Sequence, residues 1–167
     1  MKSATQPKCK IFFDSSVLFA GVFSAIRGAR LIMKLAEGKH LRLIVSQQVL
    51  AETERSLRAK APEVLGRYAL LLREINVEVV PDPAPEELAS YITLLPHRED
   101  VPILVAALKA KADYLVTLNH KHFLEVPGLA EKVGLPMGTP GDFITWYREH
   151  WLKARVEQCS SSTSPTP

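Results

Sequence analysis

Short apolar runs alternate with longer amphipathic segments along most of this chain, and this alternation restricts its fold more than any other feature. The runs at 10–14, 41–45, 77–80 and 114–117 are rich in β-branched and aromatic residues, as buried strands are. The segments between them place apolar residues at helical spacing. Because parallel strands need helical crossovers of this kind, we expect an α/β fold, a three-layer α/β/α sandwich around a central, mostly parallel sheet.

Capping residues and prolines predict where several helices begin. Ser46 is expected to cap the helix after the second strand, and Thr139, which precedes a proline, is expected to cap the last helix. Pro62 should open another helix, and a further helix is expected from Glu86 to about Leu95. The aromatic residues of the last helix, which are expected to close the core, are Phe143, Trp146, Tyr147 and Trp151.

Length and composition favour a single domain, because 167 residues with 47% hydrophobic content can bury one sizeable core. We predict that this domain spans residues 9–156, with disordered tails at 1–8 and 157–167, since both ends are polar or rich in proline. The apolar stretches are shorter than the ~20 residues of a membrane helix, and the start lacks the apolar run of a signal peptide. We therefore expect a cytoplasmic protein with no membrane contact.

The two cysteines, Cys9 and Cys159, lie near opposite ends of the chain. This arrangement has neither the spacing of a zinc site nor the density of a disulfide framework. Both residues are expected to be free thiols.

Polar residues that follow the strands are the candidates for chemistry, because ligands of parallel α/β sheets bind beyond the carboxyl ends of the strands. Asp14 and Asn119 follow two of the predicted strands. Asp100 starts the helix that runs back to the strand at 114–117, and Glu52 lies in the helix after the second strand. Carboxylates brought together repel one another unless a cation lies between them, so the group predicts a site for Mg²⁺ or Mn²⁺.

Several of these carboxylates have a simpler structural explanation. Asp100 stands where a helix cap is common, and capping alone would account for it. On a helical wheel Glu52 and Glu54 both flank the apolar face, so periodicity does not choose between them. Asp113 lies in a helix-to-strand turn and Asp142 at a helix start, and both are predicted to be structural.

Basic and imidazole side chains flank the turns at Asp100 and Asn119. Lys and Arg neutralise phosphates and His donates hydrogen bonds to them, so these residues could hold a phosphodiester backbone near a metal ion. A solvated polar loop is the alternative, and a formal net charge of +3 is compatible with either. The residues concerned are His97, Arg98, His120, Lys121 and His122.

Four segments resemble, in order and spacing, the motifs of PIN domains. The first contains a strand that ends in Asp14, the second carries Glu52 as its acidic residue, and the third runs from Asp100 through a helix and strand to a turn and Phe123. The resemblance extends over roughly residues 9–150. The segments are 12–18, 46–52, 100–123 and 139–143.

The resemblance implies a metal-dependent endoribonuclease, similar to the toxin component of bacterial or archaeal toxin–antitoxin pairs. Asp14, Glu52 and Asp100 would hold Mg²⁺ or Mn²⁺, which activates water for attack on an RNA phosphodiester. Asn119 would orient water or substrate. The implied partners are RNA, a second copy in a homodimer, and a protein antitoxin that blocks the acidic cleft. The residues assigned to substrate contacts are Ser15, Thr117, His120, Lys121 and His122.

Two positions differ from the PIN pattern. Ser16 replaces the usual Asn, which is expected to cost a hydrogen bond that orients Asp14, and Asn119 replaces the fourth acidic residue, which should weaken a second metal site. A catalytically degenerate PIN fold that binds RNA or protein is therefore an alternative function. A phosphoryl-transfer domain with Asp14 as nucleophile is another, although no second Asp stands close by in the sequence.

Overall fold

The computed structural model describes residues 8–23 and 27–161. The predicted tails lie mostly outside these ranges, at 1–7 and 162–167, and the side chain of Cys159 is not described. Cys9 is a buried free thiol, as expected.

Five parallel strands form the central sheet, in the order β3-β2-β1-β4-β5. The order runs one way from β1 to β3 and the other way to β4 and β5, so the topological switch lies between β1 and β4. A crevice forms at such a switch beyond the carboxyl ends of the strands. The strands are β1 (Cys9–Phe13), β2 (Leu41–Ser46), β3 (Glu78–Val80), β4 (Tyr114–Val116) and β5 (Met137–Gly138).

Helices flank the sheet, which confirms the predicted α/β architecture. The helices are α1 (Ser15–Phe23), α2 (Arg27–Glu37), α3 (Gln47–Lys60), α4 (Leu65–Ile75), α5 (Pro85–Leu88), α6 (Val101–Lys109), α7 (Leu129–Val133), α8 (Pro140–Trp146) and α9 (Lys153–Ser161). Helices α2 and α6 both pack against β2. Helices α4 and α8 pack against α2, and α5 packs against α6. A π-helical stretch over Tyr147–Leu152 joins α8 to α9, which extends past the predicted domain boundary at residue 156.

The central strands are apolar because they are buried. In β1, Ile11, Phe12 and Phe13 are all fully buried, so this strand has no solvated face. Phe143 of α8 is also fully buried, and Trp146 packs against the same core from the helix surface. The aromatic residues of the last helices therefore close the core, as predicted.

The predicted helix caps at Ser46 and Thr139 are confirmed. The Ser46 hydroxyl accepts a hydrogen bond from the backbone N–H of Val49, and Thr139 forms a capping box with Asp142. In α3 and α8 the caps satisfy N–H groups that have no partner within the helix. Asp142 is therefore structural, as predicted, and so is Asp113, whose carboxylate accepts from the backbone N–H of Lys10 at 2.7 Å.

The helix predicted from Glu86 to Leu95 was wrong over most of its length. The structure forms only α5, and residues 89–94 follow as turns. Backbone N–H groups there bond three residues back, as in the contact from Tyr91 to Leu88 O. Ser90, Ile92 and Thr93 have low helix propensity, which explains why the helix ends early.

No single helix in the described part of the chain is long and apolar enough to cross a membrane. The bent pair formed by α1 and residues 28–37 of α2 passes that test only when the two helices are counted together.

Candidate functional site

Asp14 lies at the switch point, directly after β1, and only 4% of it is exposed. Its Oδ1 accepts a hydrogen bond from the backbone N–H of Ser15 at 2.7 Å. Its Oδ2 accepts from the hydroxyls of Ser16 and Thr117, each at 2.8 Å. These donors stabilise a buried carboxylate that would otherwise be costly.

Ser16 does not lose the orienting hydrogen bond, contrary to the expectation from its replacement of Asn. Its hydroxyl donates to Asp14 and accepts from the backbone N–H of Leu118 at 3.1 Å. A serine can do both because its hydroxyl has one donor and two acceptor sites. It therefore links the start of α1 to the turn after β4.

Glu52 faces Asp14 from α3 and is held through both oxygens. Oε2 accepts from the Ser15 hydroxyl at 2.8 Å, and Oε1 accepts from the side-chain amide of Gln48 at 2.8 Å. The same amide donates to the backbone carbonyl of Glu99 at 2.9 Å. Gln48 thus connects Glu52 to the segment that carries the next acidic residue.

Asp100 precedes α6 but does not cap it, since its side chain makes no capping hydrogen bond. Its Oδ2 lies 2.7 Å from Nδ1 of His122, although neither atom makes a hydrogen bond of normal geometry. The imidazole of His122 stacks on that of His97 with ring centroids 3.7 Å apart. Burial raises the pKa of the Asp100 carboxyl, and the negative charge of Asp14 acts in the same direction, whereas His122 opposes both.

An open cleft of about 700 Å³ brings all four principal candidates together. Its walls come from α1, α3, the turn before α6 and the turn after β4. Its lining includes Asp14, Glu52, Asp100, Asn119, His122, Ser15, Phe19, Arg55, Ser56 and Lys60.

The carboxylates of the cleft do not form a ready-made metal site. Among residues 8–23 and 27–161, no group of three His, Cys, Asp or Glu side chains is arranged to hold an ion. Asp14 faces hydroxyl donors, Glu52 faces Gln48, and Asp100 faces His122. Carboxylate and amide oxygens are nevertheless the ligands that hard divalent cations prefer, so the donor chemistry fits Mg²⁺ or Mn²⁺.

The residues predicted to contact substrate fall in three different places. Ser15 and His122 line the cleft. Thr117 is fully buried behind Asp14, where its hydroxyl holds the carboxylate and cannot reach a ligand. His120 and Lys121 are exposed and lie outside the cleft lining.

Several residues that line the cleft were missed in the sequence, among them Arg55, Ser56 and Lys60 on α3 and Phe19 on α1. Ser56 and Lys60 follow Glu52 at intervals of four residues, so helical periodicity places them on its face of α3. Gln48, four residues before Glu52, holds that carboxylate from outside the cleft lining. Arg55 lies beside that face and also lines the cleft. The position of Glu52 was the available signal, because any residue one or two turns away shares its surroundings.

Comparison with known families gives a match to a range of residues that includes most of those lining the cleft. The PIN domain profile matches residues 10–121, which include Asp14, Glu52, Asp100 and Asn119. Curated protein sequences give no match.

Solved structures show the same fold at low sequence identity. VapBC2 from Rickettsia felis, bound to a DNA fragment from its promoter, has a TM-score of 0.58 and 18% identity, covering 78% of this chain and 98% of that one. VapC20 from Mycobacterium tuberculosis, a toxin that cleaves the sarcin-ricin loop, has a TM-score of 0.49 and 19% identity, covering 63% and 86%. At 18% identity, the likeness to the VapBC2 structure supports the fold alone. The likeness to VapC20 has a TM-score under 0.5 and adds nothing to that conclusion.

Proposed function

Because this chain belongs to the PIN domain family, we propose that it is a divalent-metal-dependent endoribonuclease that hydrolyses phosphodiester bonds in RNA. The observation that carries the proposal is the cleft at the switch point, where Asp14, Glu52, Asp100 and Asn119 meet. Carboxylates that share one open cleft repel one another, and a bound cation would offset that repulsion at a place open to a phosphodiester.

Asp14, Glu52 and Asp100 are the residues that would hold Mg²⁺ or Mn²⁺. The bound ion would supply an activated water and offset charge on the phosphate. Asn119 offers an amide at the cleft wall that orients water or substrate. His122, stacked on His97, is placed to donate a hydrogen bond to a phosphate oxygen beside Asp100.

The proposal extends to partners and location. We assign RNA as substrate, a cytoplasmic site of action, a homodimer, and a protein antitoxin as inhibitor of a toxin of the toxin–antitoxin kind. The likeness in fold to a VapBC2 structure is compatible with that assignment. Copurification of this chain with the product of a neighbouring gene would test the antitoxin.

The nuclease is tested by cleavage of a generic single-stranded RNA with Mn²⁺. Asp14→Asn is a poor first variant, because the new amide would place a donor against the donors of Ser15, Ser16 or Thr117. Glu52→Gln should instead lower the rate about 100-fold or more, since it removes a charge from the ion's ligands.

Glu63→Gln is the matched control, because Glu63 is exposed beyond the end of α3 and outside the cleft lining. It should cleave like the wild type. Equal rates for the two Gln variants, or no cleavage by the wild type, would contradict the proposal.

A degenerate PIN fold that binds without cutting is the second candidate. It is favoured by the absence of a ready-made metal site among the described residues and by Asn119 at the fourth acidic position. Calorimetry with Mn²⁺ separates the two functions. If the wild type binds RNA but no divalent ion at millimolar concentration, the degenerate fold replaces the nuclease.

A further inference from the structure

The cleft changes sign along its length. Asp14, Glu52 and Asp100 line its acidic end, and the same cleft is lined by Arg55, three residues beyond Glu52 on α3, and by Lys60, eight residues beyond it. RNA carries a negative charge at every phosphate, so the acidic end repels the backbone on either side of a bound phosphodiester. A cationic contact within the same cleft would offset that repulsion.

Lys60 is placed to act on a neighbouring phosphate rather than on the carboxylates, whereas Arg55, three residues beyond Glu52 on α3, lies between the carboxylates and Lys60. Glu52, Ser56 and Lys60 follow one face of α3, and eight residues of helix separate the outer two by about 12 Å along the axis. This distance exceeds the screening length of ~8 Å in physiological salt. Both Arg55 and Lys60 are exposed, and neither forms a salt bridge within the described ranges.

An aromatic surface lies beside these cations. The Lys60 ammonium is 5.4 Å from the ring centroid of Phe19, which lines the cleft and is partly exposed. The ring of Phe23 lies beside that of Phe19, with centroids 5.4 Å apart, and is 50% exposed. Exposed rings next to unpaired cations are the combination with which proteins bind single-stranded nucleic acid.

We propose that Arg55, Lys60 and Phe19 form a nucleotide-binding subsite at the basic end of the cleft. Arg55 and Lys60 contact the phosphates next to the cleaved bond, and Phe19 stacks on a base. Stacking requires an unpaired base, so the ligand is a single-stranded RNA segment. The subsite rests on the proposed ribonuclease function and assigns it residues outside the acidic group.

The phosphate contacts are tested by the salt dependence of binding, measured by fluorescence anisotropy with a labelled, unstructured RNA oligonucleotide in EDTA. Each phosphate contact on a single strand contributes about 0.7 to the slope of log affinity against log salt. The double variant Arg55→Ala/Lys60→Ala should therefore reduce that slope by about 1.4 and weaken binding at low salt.

Arg58→Ala is the matched control, because Arg58 is exposed on α3 but outside the cleft lining. Arg58→Ala should reduce the slope by less than half of the reduction expected for the Ala double variant. A charge-conserving variant, Arg55→Lys/Lys60→Arg, should restore the wild-type slope. An unchanged slope in the Ala double variant would overturn the subsite and leave these cations for another ligand, such as an acidic protein segment.

The stacking contact is tested with Phe19→Leu and Phe19→Tyr. Loss of the ring in Phe19→Leu should weaken binding about tenfold, whereas Phe19→Tyr keeps an aromatic face and should bind like the wild type. An abasic oligonucleotide of the same length should not distinguish the variants. Equal weakening of both oligonucleotides by Phe19→Leu would overturn the stacking role.

Failure of the subsite and failure of the nuclease give different results. If the wild type cleaves RNA but its salt slope does not respond to the Ala double variant, only the subsite is wrong. If the slope responds while the wild type cleaves nothing with Mn²⁺, the subsite stands and the nuclease is wrong.

Discussion

The hydroxyl of Thr117 donates a hydrogen bond to Oδ2 of Asp14 across 2.8 Å and so joins the carboxyl ends of β1 and β4. Thr117 is fully buried, and its hydroxyl also accepts from the backbone N–H of Asn119 at 3.0 Å. One side chain therefore orients both a carboxylate of the cleft and the turn that carries Asn119.

Replacing Thr117 by Val should destabilise the fold by about 1–3 kcal/mol, because it keeps the shape but leaves a buried carboxylate with one donor fewer. Chemical denaturation measures the loss. Thr53→Val is the matched control: Thr53 is equally buried, but its hydroxyl donates only to Val49 O within α3. A loss no larger than that of the control would contradict the role assigned to Thr117.

The main strands were predictable from the sequence because each is a short apolar run whose burial requires that composition. β5 was not predicted, since it has two residues, Met137 and Gly138, and lies at the edge of the sheet beside β4. Its formation depends on the hydrogen bond from the backbone N–H of Leu115 to the carbonyl of Pro136 at the sheet edge. Such a tertiary contact leaves no periodic pattern in the sequence.

The acidic end of the cleft was predictable because parallel topology brings residues after strands to one edge. Hydrogen-bond partners were not, since Gln48 and Ser16 act through side chains whose directions depend on packing. The basic end was missed for a different reason. Arg55 and Lys60 belong to an amphipathic helix in which exposed cations are common, and sequence alone does not show which of them face a cleft.

Gln48→Ala should lower the rate of RNA cleavage about tenfold with little effect on KM, because Gln48 orients Glu52 and ties it to the Glu99 backbone. Steady-state kinetics with Mn²⁺ measures the change. Gln47→Ala is the control, since Gln47 is the exposed neighbour on α3. An effect shared by both variants, or a change in KM alone, would contradict a positioning role.

Asp100→Asn should stabilise the fold at neutral pH in the absence of metal. Burial raises the pKa of Asp100 above its ordinary value of 3.8, so the charged form costs folding free energy at pH values above the folded pKa. As the pH falls through the folded pKa to below 3.8, that cost disappears and the two proteins should converge in stability. Thermal unfolding in EDTA across this range measures the difference. A wild type that is more stable at neutral pH would show that the contact with His122 outweighs burial.

Asn119→Asp should tighten Mn²⁺ binding about tenfold, corresponding to about 1.4 kcal/mol, because it adds a carboxylate to the three proposed ligands Asp14, Glu52 and Asp100. Asn119 lines the cleft and is only partly exposed, so the added charge acts close to Asp14 and Asp100. Without metal the same charge increases repulsion, and the variant should melt at a lower temperature than the wild type in EDTA. Calorimetric titration measures the affinity for Mn²⁺, and thermal unfolding with and without the ion measures the change in melting temperature.

Asn76→Asp, at the end of α4 and outside the cleft lining, is the control and should change neither the affinity for Mn²⁺ nor the effect of Mn²⁺ on the melting temperature. A variant at 119 that gains no affinity for Mn²⁺ would remove this residue from the metal site and favour the degenerate fold.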